Sequence, residues 1–524
     1  MPRASGDSLG EVQRRPLTAT IALGGSVASF LAVALVASVP GSPFSPVLPS
    51  PPGGPFVWLA GLVGLDAVHG SALVAMGVVA VAIGAGAFVL LLRETWRGKI
   101  SGRTVLGLAV AYHVALLFVP LVFSRDVYSY AFYGKIAATY HANPYVATPA
   151  DFRGDVLAAF VGPKWFDTPA VYGPLWTQIS GVVVRAAGSV EAQVAVFRAL
   201  AIAASLGTVA VVARVARSWW PSREAFAIAA VGANPVVLFQ SAASGHNDLV
   251  VGLAIAVALW FAFARRELGA TAALALGTLV KVTAGVPLIL YVIARVAARP
   301  KGERLGAALR HVGVAGALGI VAALPFLNTR DPTLGLAELA THEGWLAPSR
   351  FFRRLLDAIS GDALGVLARI VLPLVLLAAL VAIVRAVLRR APASPWLEGA
   401  SWGWALLLLM LLGPVLLPWY AVWALPLAWL LPKVPRTVLL ATGVTLTLSQ
   451  WTSEPAAFPT AYDANIWVGH YVLTPLVIGL LGWLLLDLRR RARTGAPLEE
   501  EPEAVPATDG HRGDDRRPDR IGER

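Results

Sequence analysis

The chain has 524 residues, of which 57% are hydrophobic and 14% are charged, with a formal net charge of +12 and a mean hydropathy of +0.67. This composition excludes a soluble globular protein, so lipid is the expected main solvent. The basic residues form short clusters between apolar runs, which argues against nucleic acid as a partner, and the lack of cysteine excludes thiolate metal sites and thiol catalysis.

Apolar runs recur along the whole chain, and a run needs roughly 20 residues to cross a membrane as a helix. Clear runs lie at 17–39, 70–92, 104–123, 193–213, 225–243, 363–388 and 467–487. Shorter or Pro/Gly-broken runs lie at 248–264, 270–297, 309–327, 402–432 and 436–452. If 270–297 and 402–432 each make two passes, the pattern predicts an all-α polytopic membrane protein with about fourteen transmembrane helices.

Clusters of arginine and lysine separate these runs, at 14–15, 93–103, 214–223, 265–266, 295–310, 385–390, 433–436 and 489–493. Cytoplasmic loops carry the Lys/Arg excess, so one-sided clusters predict a multi-pass protein of the cell membrane with both termini in the cytoplasm. The cluster at 214–223 requires an even number of crossings between 124 and 192. We expect none, because the apolar run at 175–187 is too short to span the membrane, which makes 124–192 an external loop.

The pattern divides the chain into four parts. Residues 1–103 hold the N-terminus and an accessory hairpin, and 104–297 form a core that includes the outer loop 124–192. Residues 298–487 are C-terminal helices with a second outer loop at 328–362. The charged, Pro-rich stretch 494–524 is expected to be a disordered cytoplasmic tail. The first apolar run is longer than a signal-peptide core, so we expect it to be retained as a helix.

The first long outer loop opens with the sequence SRDVYSYAFYGK, which begins at Ser124. Its large apolar side chains recur every four residues, at Tyr128, Phe132, Ile136 and Tyr140. This spacing predicts a helix lying at the membrane surface. With Ser124 as N-cap, Asp126 lies in the first turn, where the helix dipole favours an ionised carboxylate. Asp126 is thus a candidate general base, and the alternative is that it only caps its helix.

Two further motifs fall on the same predicted side. The sequence YGPLW at Tyr172 to Trp176 suits a short interfacial helix started by Pro174. The sequence GHND, which ends with His246, Asn247 and Asp248, joins two apolar runs. It is either a tight polar connector or a site, because it combines an imidazole, an amide and a carboxylate.

Charged residues at membrane depth are costly, and Arg198, Lys281 and Arg369 lie there. An anionic partner is expected to offset that cost. Lys281 is a candidate for binding a lipid phosphate, with snorkelling or an aspartate partner as the alternative.

The remaining candidates lie in two other stretches that the pattern places outside. The loop 328–362 adds possible phosphate ligands or a solvated face, at His342, Trp345, Arg350, Arg353 and Arg354. The sequence LPWY, which includes Trp419 and Tyr420, interrupts an apolar stretch and must line a cavity or be buried in protein.

These motifs, in this order, resemble those of actinobacterial polyprenol-phosphate-mannose-dependent α-1,6-mannosyltransferases, which belong to the C-type glycosyltransferase superfamily. The resemblance covers roughly residues 104–487 and implies that superfamily's architecture, with interfacial helices at 127–142 and 175–187. It implies that Asp126, which follows the first core helix, is the catalytic base. Two helices precede the core here, so Asp66 lies in the true first outer loop and is a rival base.

The resemblance implies an inverting transfer of mannose from polyprenyl phosphate to a glycan or lipoglycan acceptor outside the membrane, with α-1,6 linkages. Substrate-binding residues are then expected at Tyr172, Trp176, His246, Asn247, Asp248, Lys281, Arg350, Trp419 and Tyr420. No cofactor is expected, and a divalent metal is neither required nor excluded. The alternatives are a transporter or flippase of lipid-linked sugars and a transferase for another polyprenyl-phosphate sugar.

Overall fold

A computed structural model describes residues 16–327, 344, 346–360 and 365–502, with only the backbone described at 365, 366 and 368. Within these ranges all regular structure is helical and no strand occurs. The predicted all-α class is therefore confirmed.

The N-terminal part is a helical hairpin followed by the first helix of the core. Helix α1 spans Leu17–Ser38, the short α2 spans Pro55–Leu62, α3 spans Gly70–Trp96 and α4 spans Gly102–Leu116. A hydrogen bond joins the two helices of the hairpin, α1 and α3: Ser29 Oγ donates to the Ala80 carbonyl at 2.7 Å.

Two short helices follow α4 before the next long one. Helix α5 spans Asp126–Ala138, α6 spans Pro174–Ala186 and α7 spans Val190–Trp219. Helices α5 and α6 cross so closely that a Cβ on Gly134 would lie 2.5 Å from the backbone of Ser180. At 13 residues each, they reach about 20 Å, which is too short to span a membrane. No candidate span lies between α4 and α7, which is compatible with the predicted external loop.

The middle of the chain contains the helices before and after the GHND connector. Helix α8 spans Glu224–Gly232, α9 spans Asp248–Phe263, α10 spans Glu267–Val280, α11 spans Gly285–Ala297 and α12 spans Arg304–Ala323. The break between α10 and α11 was expected from the broken run at 270–297.

The C-terminal part contains four longer helices and two shorter ones, α13 and α17, which line the same cavity as the start of α5. Its helices are α13 (Pro348–Ser360), α14 (Gly365–Arg389), α15 (Pro395–Leu412), α16 (Lys433–Thr447), α17 (Pro459–Val468) and α18 (Thr474–Thr494).

Eight helices of the described chain are long and apolar enough to cross a membrane, and four shorter apolar helices accompany them. The protein is therefore a membrane protein, but the predicted count of about fourteen is not confirmed. One reason is the run at 402–432, where α15 is followed by tight 3-10 turns at Pro418–Trp423 and Leu425–Leu430 instead of a second α-helix.

The start of the predicted disordered tail is ordered in the structure. Leu498 is buried, and its carbonyl accepts from Trp404 Nε1 at 3.0 Å. Glu500 pairs with Arg436 at 2.5 Å. The prediction is therefore wrong for 494–502, because these acidic side chains find arginine partners on neighbouring helices. Residues 503–524 lie outside the described residues.

Candidate active site

A bent segment between α4 and α5 delivers Asp126 to the site. Phe123 has a positive φ of 59°, and Ser124 Oγ accepts from the backbone N–H of Asp126 at 3.1 Å. Arg125 occupies the N-cap position, so the predicted cap at Ser124 is one residue too early. Asp126 is the first residue of α5, which keeps its carboxyl in the first turn as expected.

A salt bridge joins this segment to the loop that contains Glu454, between α16 and α17. Arg125 binds Glu454 through two nitrogens, with Nη2 at 2.5 Å and 2.6 Å from the two carboxylate oxygens and Nε at 3.1 Å from one of them. A fork-to-carboxylate pair of this kind fixes orientation as well as distance. It therefore fixes the backbone position of the neighbouring Asp126.

The carboxyl group of Asp126 is 13% exposed. Burial raises the pKa of Asp126 to about 6, the Lys281 charge works against that rise, and the Asp248 charge adds to it. At neutral pH the group is mostly ionised, yet it holds a proton more tightly than an ordinary aspartate does. A carboxylate with these properties is well matched to general-base work.

His246 is the nearest polar neighbour of that carboxyl group. Its Nδ1 lies 3.5 Å from Asp126 Oδ2, and its ring stacks on Trp419 with centroids 3.7 Å apart. Burial, then the Lys281 charge, lowers the pKa of His246 well below its usual value. The imidazole is therefore neutral, and it contacts Asp126 as a dipole.

Asp248 and Lys281 form a buried ion pair next to this histidine. Asp248 Oδ1 accepts from Lys281 Nζ at 2.8 Å and from Trp423 Nε1 at 2.7 Å. Nζ also lies 4.6 Å from the ring centroid of Tyr420. The aspartate alternative for Lys281 is thus the contact that the structure shows, and it offsets the cost of both buried charges.

A cavity of about 740 Å³ opens onto Asp126. Cationic side chains line it at Lys164, Arg350 and Arg354, and aromatic side chains line it at Trp165, Trp419, Tyr420 and Tyr462. Two carboxylates also line it, Asp126 and the exposed Asp463. The partly buried Asp126 thus faces a set of cations and rings across a space large enough for a sugar and a phosphate. Polar groups that converge in an otherwise apolar cavity are the usual character of a ligand site.

Lys164 is a site residue that the sequence did not indicate. It lies in the short helical turn Pro163–Phe166, and burial followed by the Arg350 charge lowers its pKa. The only sequence signal was a lone cation beside a tryptophan in the outer loop, which is too common a pairing to single out.

The structure sorts the predicted residues into two groups. Asp126, Arg350, Trp419 and Tyr420 line the cavity, whereas the other predicted residues are buried behind it, at Tyr172, Trp176, His246, Asn247, Asp248 and Lys281. Tyr172 and Trp176 pack edge-on against Tyr130, with ring centroids 4.8 Å and 5.3 Å away. Tyr130 in turn approaches Asn247 Oδ1 at 3.4 Å.

Several other candidates lie elsewhere. Asp66 is exposed and does not line the cavity. Arg353 pairs with Asp357 at 3.0 Å, and Arg369 is exposed. His342 and Trp345 lie outside the described residues.

The predicted depth of Arg198 suggested an anionic partner, but among the described residues Arg198 pairs with no carboxylate. It donates to three backbone carbonyls, those of Leu116 at 2.7 Å, Val119 at 2.5 Å and Ala243 at 3.1 Å. These carbonyls are left over where helices end, so they supply the negative ends of dipoles.

Comparison with known proteins gives consistent matches. A family model described as "Alpha-(1->6)-mannopyranosyltransferase, N-terminal domain" matches residues 23–298. The chain is 30% identical over 213 residues to an Alpha-(1->6)-mannopyranosyltransferase A of Corynebacterium glutamicum. That match covers 39% of this chain and 43% of the corynebacterial protein. It is 24% identical over 428 residues to the Mycobacterium tuberculosis protein of the same name. That match covers 78% of this chain and 80% of the mycobacterial protein. No solved structure gives a significant match.

Proposed function

Because the chain belongs to the Alpha-(1->6)-mannopyranosyltransferase family, we propose that it transfers mannose from a polyprenyl-phosphate carrier to a hydroxyl group of a glycan or lipoglycan acceptor. The sugar and the linkage follow the names of the relatives. The carrier and the external acceptor follow the motif resemblance, and the chemistry of the Asp126 cavity supports both.

Asp126 acts as the general base in this proposal. It takes the proton of the acceptor hydroxyl while the acceptor oxygen bonds to the anomeric carbon of mannose. The bond from that carbon to the phosphate oxygen breaks on the opposite face, and the phosphate leaves with the electron pair. A β-linked donor thus gives an α-linked product, and no general acid is needed because a phosphate is a good leaving group.

The cations of the cavity bind the phosphate of the carrier. Lys164, Arg350 and Arg354 line the same space as Asp126, and guanidinium groups bind phosphate oxygens in pairs. They stabilise the negative charge that grows on the departing phosphate. Lys281, which is bonded to Asp248, acts instead through its field on Asp126.

The aromatic residues of the cavity bind the sugar. Trp419 is held by the His246 ring on one face, and Tyr420 stacks on Trp423 with centroids 4.2 Å apart. Aromatic side chains fixed in this way present rigid apolar surfaces with few internal rotations to lose.

Sidedness is part of the proposal. Both termini lie in the cytoplasm and the Asp126 cavity lies outside the cell membrane in this proposal, and the one-sided arginine clusters support that arrangement. The helix pattern supports this, because α5 and α6 are too short to cross and Asp126 follows α4 directly.

The observation that carries the proposal is that the Asp126 carboxylate shares its cavity with three cations and several aromatic rings. The test is transfer of labelled mannose from polyprenyl-phosphate-mannose to a crude lipoglycan by membranes that contain the protein. We expect label in the lipoglycan, none with a nucleotide-sugar donor, and α-1,6 linkages on digestion. A folded protein that uses only the nucleotide sugar would refute the carrier, and one that moves intact lipid-linked sugar across vesicles without transfer would establish the transporter alternative.

A further inference from the structure

A second cavity, of about 300 Å³, lies between the ends of α14 and α18, apart from the Asp126 site. Four arginines line it, at Arg385, Arg389, Arg390 and Arg491. The rest of its wall is largely apolar and includes Ala386 and Leu488. A pocket that combines guanidinium groups with hydrocarbon surface fits a ligand that is anionic at one end and apolar at the other.

Within the described ranges, carboxylate partners are found for two of these arginines. Arg390 pairs with Glu499 at 3.0 Å, and Arg491 pairs with Asp487 at 2.7 Å. Arg385 and Arg389 are exposed and have no carboxylate partner in the part of the chain that the structure describes. Two positive charges are thus left at the mouth of the cavity, which favours an anionic ligand.

The cavity lies at the end of the bundle away from Asp126. Arg436 contacts both the Trp96 ring at the end of α3, 3.8 Å from its centroid, and Glu500, the neighbour of the Glu499 that binds Arg390. Helix α4 starts shortly after Trp96 and runs about 22 Å before the chain reaches Asp126. The two cavities are therefore separated by the length of a helix, and the second lies where helices leave the membrane.

An apolar stripe on α14 leads to the arginines. Leu374, Val381 and Leu388 are exposed, at 57%, 38% and 44%. Val381 follows Leu374 by seven residues, and Arg385 follows Val381 by four. These spacings place all three residues on one face of the helix. Hydrocarbon-facing side chains that end in arginines at the membrane surface match the shape of a phospholipid, with its chains along the stripe and its phosphate at the guanidinium groups.

We propose that the α14–α18 cavity is a binding site for the phosphate headgroup of an anionic phospholipid. Arg385 and Arg389 bind the phosphate, and Arg390 and Arg491 are kept in place by Glu499 and Asp487. The commitment to a lipid, and not to a free phosphate ion, rests on the apolar stripe, for which an inorganic ion has no use.

The test uses the purified full chain in detergent, with thermal unfolding followed by tryptophan fluorescence during titration with phosphatidylglycerol or phosphatidylcholine. We expect phosphatidylglycerol to raise the melting temperature and phosphatidylcholine to do so much less. In the double variant Arg385→Gln/Arg389→Gln the concentration for half of the shift should rise roughly 30-fold, since each arginine near an anionic surface contributes about a factor of five. The matched control Arg214→Gln/Arg265→Gln removes the same charge from exposed positions outside the cavity and should behave like the wild type.

Three results would overturn the proposal. The first is an unchanged phosphatidylglycerol titration in the double variant, and the second is an equal weakening in the control pair, which would mean that general charge is responsible. The third is displacement of the lipid by millimolar inorganic phosphate, which would make this a site for the free ion. Normal mannose transfer by the double variant shows that it is folded, because neither arginine belongs to the Asp126 cavity.

Discussion

Substitution of Asp126 by asparagine tests the proposed base most directly. Asparagine keeps the size of the side chain and its contact with His246, but it cannot accept the acceptor proton. General-base catalysis contributes about 10² to 10⁴ in rate, so turnover should fall by at least about 100-fold with the donor KM nearly unchanged. A residue that only starts a helix would leave turnover close to that of the wild type.

The same variant should be more stable than the wild type at neutral pH. The pKa of Asp126 rises from 3.8 to about 6 on folding, so the folded protein holds an ionised carboxyl that burial disfavours. About two pKa units correspond to about 3 kcal/mol. This cost is absent below pH 4 and complete above pH 6, so the stability difference between variant and wild type should grow across that interval.

The measurement pairs initial rates of labelled mannose transfer with thermal unfolding in detergent at pH 4 and pH 7.5. Asp66→Asn is the matched control, since Asp66 is exposed and should change neither quantity. Near-normal turnover in a folded Asp126→Asn protein would end the catalytic assignment. A variant that is inactive and also less stable at pH 7.5 would show instead that Asp126 is structural.

Four further outcomes follow from the same geometry. The kcat/KM of the wild-type enzyme should fall tenfold per pH unit below about pH 6, because a protonated base cannot take the acceptor proton, and a pH–rate profile in kcat/KM checks this. Lys281→Met should lower the melting temperature, since it leaves the buried Asp248 without its partner at a cost of about 3 to 5 kcal/mol, and adding Asp248→Asn should restore much of it. Lys164→Met should raise the donor KM at least about tenfold through loss of a charged contact to phosphate, whereas the exposed Lys301→Met should not; equal KM values would remove Lys164 from the phosphate site. Gly154→Cys, a position with open space around it, should react with an impermeant maleimide in intact cells, and labelling only after permeabilisation would reverse the proposed sidedness.

The local features of the site could be predicted from the sequence because they rest on short-range rules. Helices were predicted at 127–142 and 175–187, and helices are found at Asp126–Ala138 and Pro174–Ala186. The first ends early because Tyr140 leaves the helical pattern to stack on Phe152, with centroids 4.2 Å apart. That contact is made across a loop and has no local signal. The family resemblance, which is confirmed, also rested on short motifs.

The long-range pairings could not be predicted, since any anion offsets a buried cation. The residues around Lys281 did not indicate whether its partner would be a ligand or Asp248, which lies 33 residues earlier. The convergence of Lys164 and Arg350 on one cavity likewise depends on how distant segments pack. Hydropathy also could not distinguish a second helix from the 3-10 turns that follow α15, because both are apolar.

The Asp126 cavity is lined by residues from distant parts of the chain, and this determines when during synthesis the cavity can form. All but three of its lining residues come from positions after 298, beyond the part matched by the family model. During synthesis Asp126 is therefore made long before the rest of its cavity, and Arg125 can pair with Glu454 only after residue 454 has been added. A chain interrupted before α17 lacks Tyr462, Asp463 and His470 from the wall of the cavity, so an unfinished protein does not have the complete site that we propose for the sugar donor.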